Sequence, residues 1–294
     1  MAPAFFDLSA RAKLRVTGAD RIRFLNGQTT NDVRKAGPEA TQESCVLNTK
    51  GHLDAHIFLS ATPNDIWIDA DQELREPLQT RLERYVIADD VMIEDVTDQF
   101  ALFHVLGDSQ PKISGAKFCF RSWRLGIDGW DLWVEVARAE AVKSTLAADY
   151  RAMDESEWEV LRIENGIPRW GRELTPEIIP PEANLQMRAL DYEKGCYIGQ
   201  EVISRMKMSG QTRQRLSGLT SEIALVPGME VRAGTKVVGR VTSAVFSQRM
   251  NSYIALAMIK RGYTEPGRSL VTFADGAETT VEVVALPFSS PSSH

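Results

Sequence analysis

Cys196 lies in the segment Glu193-Lys194-Gly195-Cys196-Tyr197-Ile198-Gly199-Gln200-Glu201, between two glycines and beside a lysine. Ile198, Val202 and Met206 recur every four residues, so the spacing predicts a helix beginning near Ile198, with Cys196 just ahead of it. At such a position unpaired backbone N–H groups and the positive end of the helix dipole favour a thiolate, and Lys194 adds positive charge. Gly195 and Gly199 permit unusual backbone angles or close approach of another molecule. A packing role also suits Cys196, because cysteine is among the most buried residue types. Cys45 and Cys119, flanked by apolar strand residues, read as packing residues.

Glu164 is the second candidate. Asp154 caps a predicted helix that runs through Trp158-Glu159-Val160-Leu161-Arg162-Ile163-Glu164-Asn165 and stops at Gly166, with Pro168 beyond. Glu164 follows Val160 by four and Leu161 by three, which sets it beside the apolar stripe as a half-buried carboxylate in need of partners. The amino and ring N–H donors of a pterin would suit it, since a carboxylate accepts both at once. An ion pair with Arg162, Arg169 or Arg172 would serve equally.

Lys194, Arg205, Lys207, Arg213 and Arg215 crowd a segment whose single acid is Glu201. Such a cluster could hold a carboxylate or phosphate, or be a solvated face at a domain junction. His52, Asp54 and His56 share one face of a strand, but HxDxH lacks the helical HExxH arrangement, so no metal is assigned. No Walker A loop, GxGxxG fingerprint or GxSxG elbow is present.

These residues need a scaffold. Thr17 to Gly27 reads as a short helix and Gln28 to Asp32 as a polar loop. Ser44 to Leu59 reads as strand, glycine turn and strand, and Asp65 to Ala70 as a further strand. Leu74, Leu78 and Leu82 give a helix with one apolar stripe, provided Pro77 sits in its first turn. Val91 to Asp95 and Gly129 to Val136 read as strands, and Ala139 to Tyr150 as a helix, a mixture that favours an α+β layer. From Leu216 the texture changes to short strands at Met229 to Arg232, Val237 to Ala244, Tyr253 to Met258, Ser269 to Phe273 and Thr279 to Leu286. Asp275-Gly276 is a hairpin signal between the last two, so a small all-β barrel or sandwich is expected. Residues 289–294 read as a disordered polar tail.

A chain of 294 residues, 43% hydrophobic and 25% charged, is long enough for a full core and more than one domain. Its net charge of −6 opposes general attraction to nucleic acid or anionic membrane, and the basic segment lacks aromatic residues interleaved for RNA. Three widely spaced cysteines suggest neither a disulfide framework nor structural zinc, which fits a reducing, cytoplasmic setting. No stretch approaches the length of a membrane span.

Lys194-Gly195-Cys196-Tyr197-Ile198-Gly199-Gln200-Glu201 matches, residue for residue, the K-G-C-[FY]-x-G-Q-E signature of the YgfZ-type folate-binding proteins, relatives of the glycine-cleavage T-protein. Looser matches at Phe24 to Val33, Arg162 to Pro168 and Val238 to Ser243 extend the resemblance over nearly the whole chain. It implies a multi-domain, T-protein-like α+β fold arranged around a central channel, with a C-terminal all-β barrel. The expected division is 1–215 for a folate-binding region, with subdomains of about 1–50 plus 160–215 and 51–159, then 216–288 for the barrel. The implied cofactor is tetrahydrofolate or a one-carbon derivative, contacted by Glu164, Asn31, Asp32 and Arg205. Cys196 becomes the reactive thiol with Lys194 beside it. The implied role is assisting assembly or repair of iron-sulfur clusters, including those of tRNA-modifying enzymes, with iron-sulfur proteins or their assembly factors as partners. The alternative is a folate-dependent aminomethyltransferase. Against it, the catalytic aspartate of T-proteins falls at Ala55 or His56, and Asp54 matches only with a shifted register.

Overall fold

The computed structural model describes residues 3–274 and 277–289. They form two compact units, one running to Asp154 and including Gln186–Ser204, the other made of Glu155–Leu185 and the chain from Arg205 onward.

In the first unit β1 (Ala4–Asp7) and β2 (Ala12–Thr17) lead through α1 (Arg21–Gln28) to β3 (Gln42–Leu47), β4 (Leu53–Ala61) and β5 (Ile66–Ala70). Helix α2 (Arg75–Glu83) and β6 (Met92–Asp95) follow, then β7 (Phe100–Leu106), β8 (Phe118–Ser122), β9 (Gly129–Glu135), α3 (Ala139–Asp149) and a short β10 (Arg151–Ala152). Two five-stranded sheets result, in the orders β3-β4-β5-β2-β6 and β10-β1-β7-β9-β8. Only β1 and β10 run parallel; the other neighbours are antiparallel. Because β3 pairs with β4 across the turn at residue 50, the subdomain break expected there falls inside one sheet.

Leu74, Leu78 and Leu82 are buried, and the helix that carries them packs on β2, β4 and β6, with Pro77 in its first turn. The second sheet packs Phe5, Phe103, Leu132 and Val134 against Val142 and Leu146 of α3. On their other faces the sheets meet through aromatic rings: Trp67 lies 5.5 Å from Trp133 and 5.1 Å from both Phe100 and Phe118.

Beside these rings lies a buried charge network. Arg124 donates through Nη1 and Nη2 to Asp69 (2.9 and 2.5 Å) and through Nε to both oxygens of Asp131 (2.9 and 3.0 Å). Arg11 Nε reaches Asp69 at 2.5 Å, and His104 Nδ1 reaches Asp131 at 2.7 Å. Burial alone would raise the Asp131 carboxyl; the Arg124 charge and the His104 hydrogen bond outweigh it and hold the group far below the usual carboxylate range. A carboxyl depressed in the folded state contributes stability that is fully present above the unfolded value of about 4 and is lost as pH falls below it. Thermal unfolding between pH 7 and pH 2.5 should therefore show a midpoint that drops steeply below about pH 4. Asp131→Asn should start lower at pH 7 and slope less.

The second unit opens with α4 (Glu155–Glu164); α5 (Gln200–Ser209) returns the chain to it, and β11 (Gln214–Ser221), β12 (Glu230–Ala233), β13 (Lys236–Ser247), β14 (Ser252–Lys260), β15 (Ser269–Ala274) and β16 (Ala277–Val284) follow. The six strands close into a barrel in the order β11-β14-β13-β12-β15-β16. Val231, Val238, Val241, Ala257, Ile259, Leu270, Val281 and Val283 fill it. The strand β11 was not among the expected ones, since its central Ser-Gly pair interrupts a run with few β-branched or aromatic residues. Strands β15 and β16 pair antiparallel as expected, while the Asp275-Gly276 turn and residues 290–294 of the expected tail lie outside the described residues. No helix among the described residues is long and apolar enough to cross a membrane.

Candidate functional site

Cys196 is exposed, whereas Cys45 is buried and Cys119 partly so. Burial pushes the Cys45 thiol well above its ordinary value and the Cys119 thiol up to about 11, in keeping with packing roles. The helix expected near Ile198 begins at Gln200, so Cys196 sits on a loop four residues ahead of it.

That loop is pinned on both sides of the cysteine. Lys194 is 5% exposed, and its Nζ donates to the backbone carbonyls of Asn26 (2.8 Å), Thr29 (2.5 Å) and Asn31 (2.7 Å). Its ammonium also lies 5.1 Å from the ring centre of Tyr197, which is buried. Lys194 thus has its three donors spent on the last turn of α1 and the loop after it, and is buried there and not part of an exposed basic cluster. Burial pushes its ammonium down to about 8. On the far side Ile198 N donates to Gly27 O (3.2 Å). Gly199 adopts φ +85°, and a Cβ there would stand 2.7 Å from Asn48 O, so only glycine lets the loop rest on the Asn48–Gly51 turn. Gly195 has no such constraint: a Cβ there would meet open space.

The segment from Phe24 to Val33 is therefore the seat of the cysteine loop. Asn31 ties this segment to β3, donating Nδ2 to Glu43 O (2.9 Å), and accepts Asp32 N at Oδ1 (2.9 Å). Asp32 is buried and accepts Arg34 Nε and Nη2, each at 2.8 Å; that hydrogen bonding lowers its carboxyl below the ordinary range. Asn31 and Asp32, expected on folate, thus each hold the loop that carries them. Arg205 is an exposed residue of α5.

The strand β4 shows what replaces the expected aspartate. Asp54 accepts Arg81 Nε at 2.7 Å. His56 is 4% exposed and its Nε2 lies 2.8 Å from Glu43 Oε1; since a carboxylate only accepts, Nε2 carries the hydrogen. Arg188 Nε donates to the other oxygen of Glu43 at 2.8 Å. Burial alone would raise the Glu43 carboxyl, but the Arg188 charge and the His56 hydrogen bond hold it below the usual range. Among the described residues no group of three or more His, Cys, Asp or Glu side chains is placed to hold a metal.

Glu164, in the second unit, ends α4 and is buried at 6% exposure, more deeply than the half-burial expected. Its position is set by its neighbours. Arg162 donates Nη1 to Ile167 O (2.6 Å) and Glu173 Oε2 (3.0 Å) and Nη2 to Ser243 Oγ of β13 (2.7 Å). Gly166 turns the chain at φ +67°, where a Cβ would strike Leu286, and Phe288 N donates to Glu164 O at 2.9 Å. The Glu164 carboxylate accepts Ser247 Oγ at 2.5 Å on Oε1 and forms an ion pair with Arg249, whose Nε lies 3.0 Å from Oε2. Neither residue was a candidate in the sequence; Arg162, which was, binds Glu173 and Glu159 instead. A carboxylate has about four acceptor positions. In Glu164, Ser247 and Arg249 engage one oxygen each.

Residues 214–289 match the family model described as the glycine cleavage T-protein C-terminal barrel domain. Over 98% of its length the chain superposes on the crystal structure of the glycine cleavage system aminomethyltransferase T from Bartonella henselae, covering 86% of that chain with a TM-score of 0.87 at 17% identity. The chain has the T-protein fold. By sequence it is 27% identical to an aminomethyltransferase of Saccharopolyspora erythraea, over 98% of this chain and 87% of that one. It is 28% identical to a putative chloroplastic transferase of Arabidopsis thaliana, over 98% of this chain and 72% of that protein. An uncharacterized protein of Haemophilus influenzae is 26% identical over 82% of this chain and 84% of its own. The T-protein fold thus supplies both the barrel that presents Ser243, Ser247 and Arg249 and the sheets that carry the cysteine loop.

Proposed function

We propose that this protein binds tetrahydrofolate, or a one-carbon derivative of it, and acts as an accessory protein in the assembly or repair of iron-sulfur clusters, with Cys196 as its reactive thiol. The observation that carries this reading is the exposed Cys196 on a loop fixed by Lys194 before it and Gly199 after it. A rigid loop with an exposed thiol is costly to build for packing alone; it suits a group that must meet a partner. A thiolate can ligate iron or attack a persulfide or disulfide. One cysteine cannot supply the usual four ligands of a cluster, so the cluster is cargo shared with a partner protein.

The T-protein fold and the similarity to proteins named aminomethyltransferase support folate as the ligand, and the Glu164 carboxylate, which can accept more than one hydrogen bond on each oxygen, suits the N–H donors of a pterin. The same names favour aminomethyl transfer as the second reading. Against it, Asp54 is engaged by Arg81 and position 56 is a histidine bound to Glu43, so the β4 segment offers no unengaged carboxylate. Tetrahydrofolate titration by calorimetry should show Glu164→Ala binding at least about tenfold more weakly than wild type, the scale of losing hydrogen bonds to a charged acceptor. Arg249 is 45% exposed and stays solvated when Glu164 is removed, while the buried Ser247 hydroxyl loses its acceptor, so the unfolding midpoint of Glu164→Ala is measured alongside. Equal affinity of the two proteins would remove Glu164 from the folate site.

A further inference from the structure

The basic segment from Lys194 to Arg215 is divided in the structure: Lys194 is buried in the first unit, whereas Arg213 is exposed just ahead of β11 in the second. The chain from Arg205 onward holds eleven Lys and Arg against six Asp and Glu, a charge of +5, while residues 1–204 carry −11. Much of the basic excess gathers at one end of the barrel. In the ladder of β11 and β14, Gln214 faces Lys260, and the backbone bond from Arg261 N to Arg213 O (2.9 Å) adds one rung, which sets the two arginines opposite each other. Lys236 opens β13, the next strand of the barrel, and Lys260 Nζ reaches the carbonyl of the adjoining Val237 at 2.9 Å. Arg213, Lys236, Lys260 and Arg261 are all exposed.

The carboxylates of β12 and of the loop after β14 are taken by other cations. Glu230 pairs with Arg232 at 2.6 Å and lies 3.7 Å from Arg240, and Glu265 pairs with Arg268 at 3.2 Å. Among the described residues none of the four cations at this end is in an ion pair. Like charges set opposite each other across a ladder cost stability, so the free protein loses by this arrangement and an anionic partner recovers the loss. A closed barrel leaves no strand edge to pair with, so recognition here is by side-chain charge. The ring of Tyr263 already carries Lys236 and Arg268 at 5.4 and 4.5 Å from its centre, which disfavours the base stacking that single-stranded nucleic acid relies on. The acidic remainder of the chain also repels a long polyphosphate more than a short peptide, which need not reach beyond the patch. We propose that this end of the barrel docks a short acidic segment of a partner protein, whose Asp and Glu carboxylates pair with Arg213, Lys236, Lys260 and Arg261. Ser247, which bonds Glu164, closes the opposite end of the twelve-residue strand β13, so the surface is separate from that carboxylate and does not rest on the folate reading.

The test uses the full chain and three dye-labelled probes followed by fluorescence anisotropy: a peptide of alternating Glu and Ser, its counterpart with Gln in place of Glu, and an oligouridine of the same charge as the first. The expected result is saturable binding of the Glu peptide at low salt, at least about tenfold weaker at about 150 mM salt, and at least about tenfold tighter than that of the Gln peptide. The oligouridine should bind at least about threefold more weakly than the Glu peptide. Arg261→Glu should cost the Glu peptide at least about fivefold, while Lys112→Glu, an exposed change of the same sign in the first unit, should leave its affinity within about twofold. Arg261→Gln, which removes one of two opposed charges, should keep or raise the unfolding midpoint and still weaken the peptide by at least about threefold. Tighter binding of the oligouridine, equal binding of the two peptides, absence of saturable binding, equal losses in Arg261→Glu and Lys112→Glu, or no loss in either Arg261 variant would overturn the proposal.

Discussion

Arg124→Leu lowers the stability of the protein by about 3–5 kcal/mol, seen as a fall in the urea midpoint with an unchanged slope. The size follows from what the guanidinium leaves behind. Asp69 and Asp131 are 1% and 0% exposed at their side chains, and Arg124 bonds both oxygens of each. Arg11 and His104 still touch one carboxylate each after the change, but the charge shared between the two is gone. Arg124 also lies with its guanidinium 4.1 Å from the ring centre of Phe58, so leucine loses a cation–π contact as well. Arg124→Lys should recover only part of the loss, because a point ammonium cannot fork between two carboxylates. Pairing Arg124→Leu with Asp131→Leu should recover more than Lys does, since the expense comes from an uncompensated buried charge.

Lys194→Met has the second largest effect, a loss of about 2–4 kcal/mol, from three carbonyls left without their donor at about 1–3 kcal/mol for each that stays buried, offset by sparing the desolvation of an ammonium. Methionine fills nearly the same space, so the loss reports hydrogen bonding more than volume. Arg at this position should not rescue it: a planar fork cannot direct three N–H groups to the carbonyls of Asn26, Thr29 and Asn31 that converge on Nζ. Hydrogen exchange distinguishes this account from a general loss of stability. Amides from Glu193 to Gly199 should exchange faster in Lys194→Met even at denaturant-free conditions where the barrel amides are unchanged. Uniform acceleration across the chain would contradict the loop-anchoring role.

How much of this could be read in the sequence depended on the distance between partners along the chain. Helix α2 was legible because Leu74, Leu78 and Leu82 carry their period within one short stretch of chain, and the barrel strand β16 because its alternation is local too. The strand Phe100–Leu106 was not, since it is buried along its whole length and a continuous apolar run has no period to detect. The site divides along the same line. Cys196 and Glu164 stood out by their own neighbours, but the groups that fix them come from elsewhere: Ser247 is 83 residues from Glu164, and Thr29 is 165 from Lys194. Lys194 was read as a charge for the thiol because the two are adjacent in sequence; burial turns its side chain to the α1 loop instead. His56 was weighed as a metal ligand, and its pairing with Glu43 became visible only when β3 and β4 were in register.

If Cys196 is the reactive thiol and Glu164 holds the folate, removing the thiol separates cellular function from folate binding. Cys196→Ala should bind tetrahydrofolate within about twofold of wild type, because the exposed thiol has no part in the fold. In cells lacking the native protein, the same variant should fail to restore the activity of iron-sulfur enzymes, including those that modify tRNA. Restoration of that activity to the wild-type level by Cys196→Ala would contradict the account.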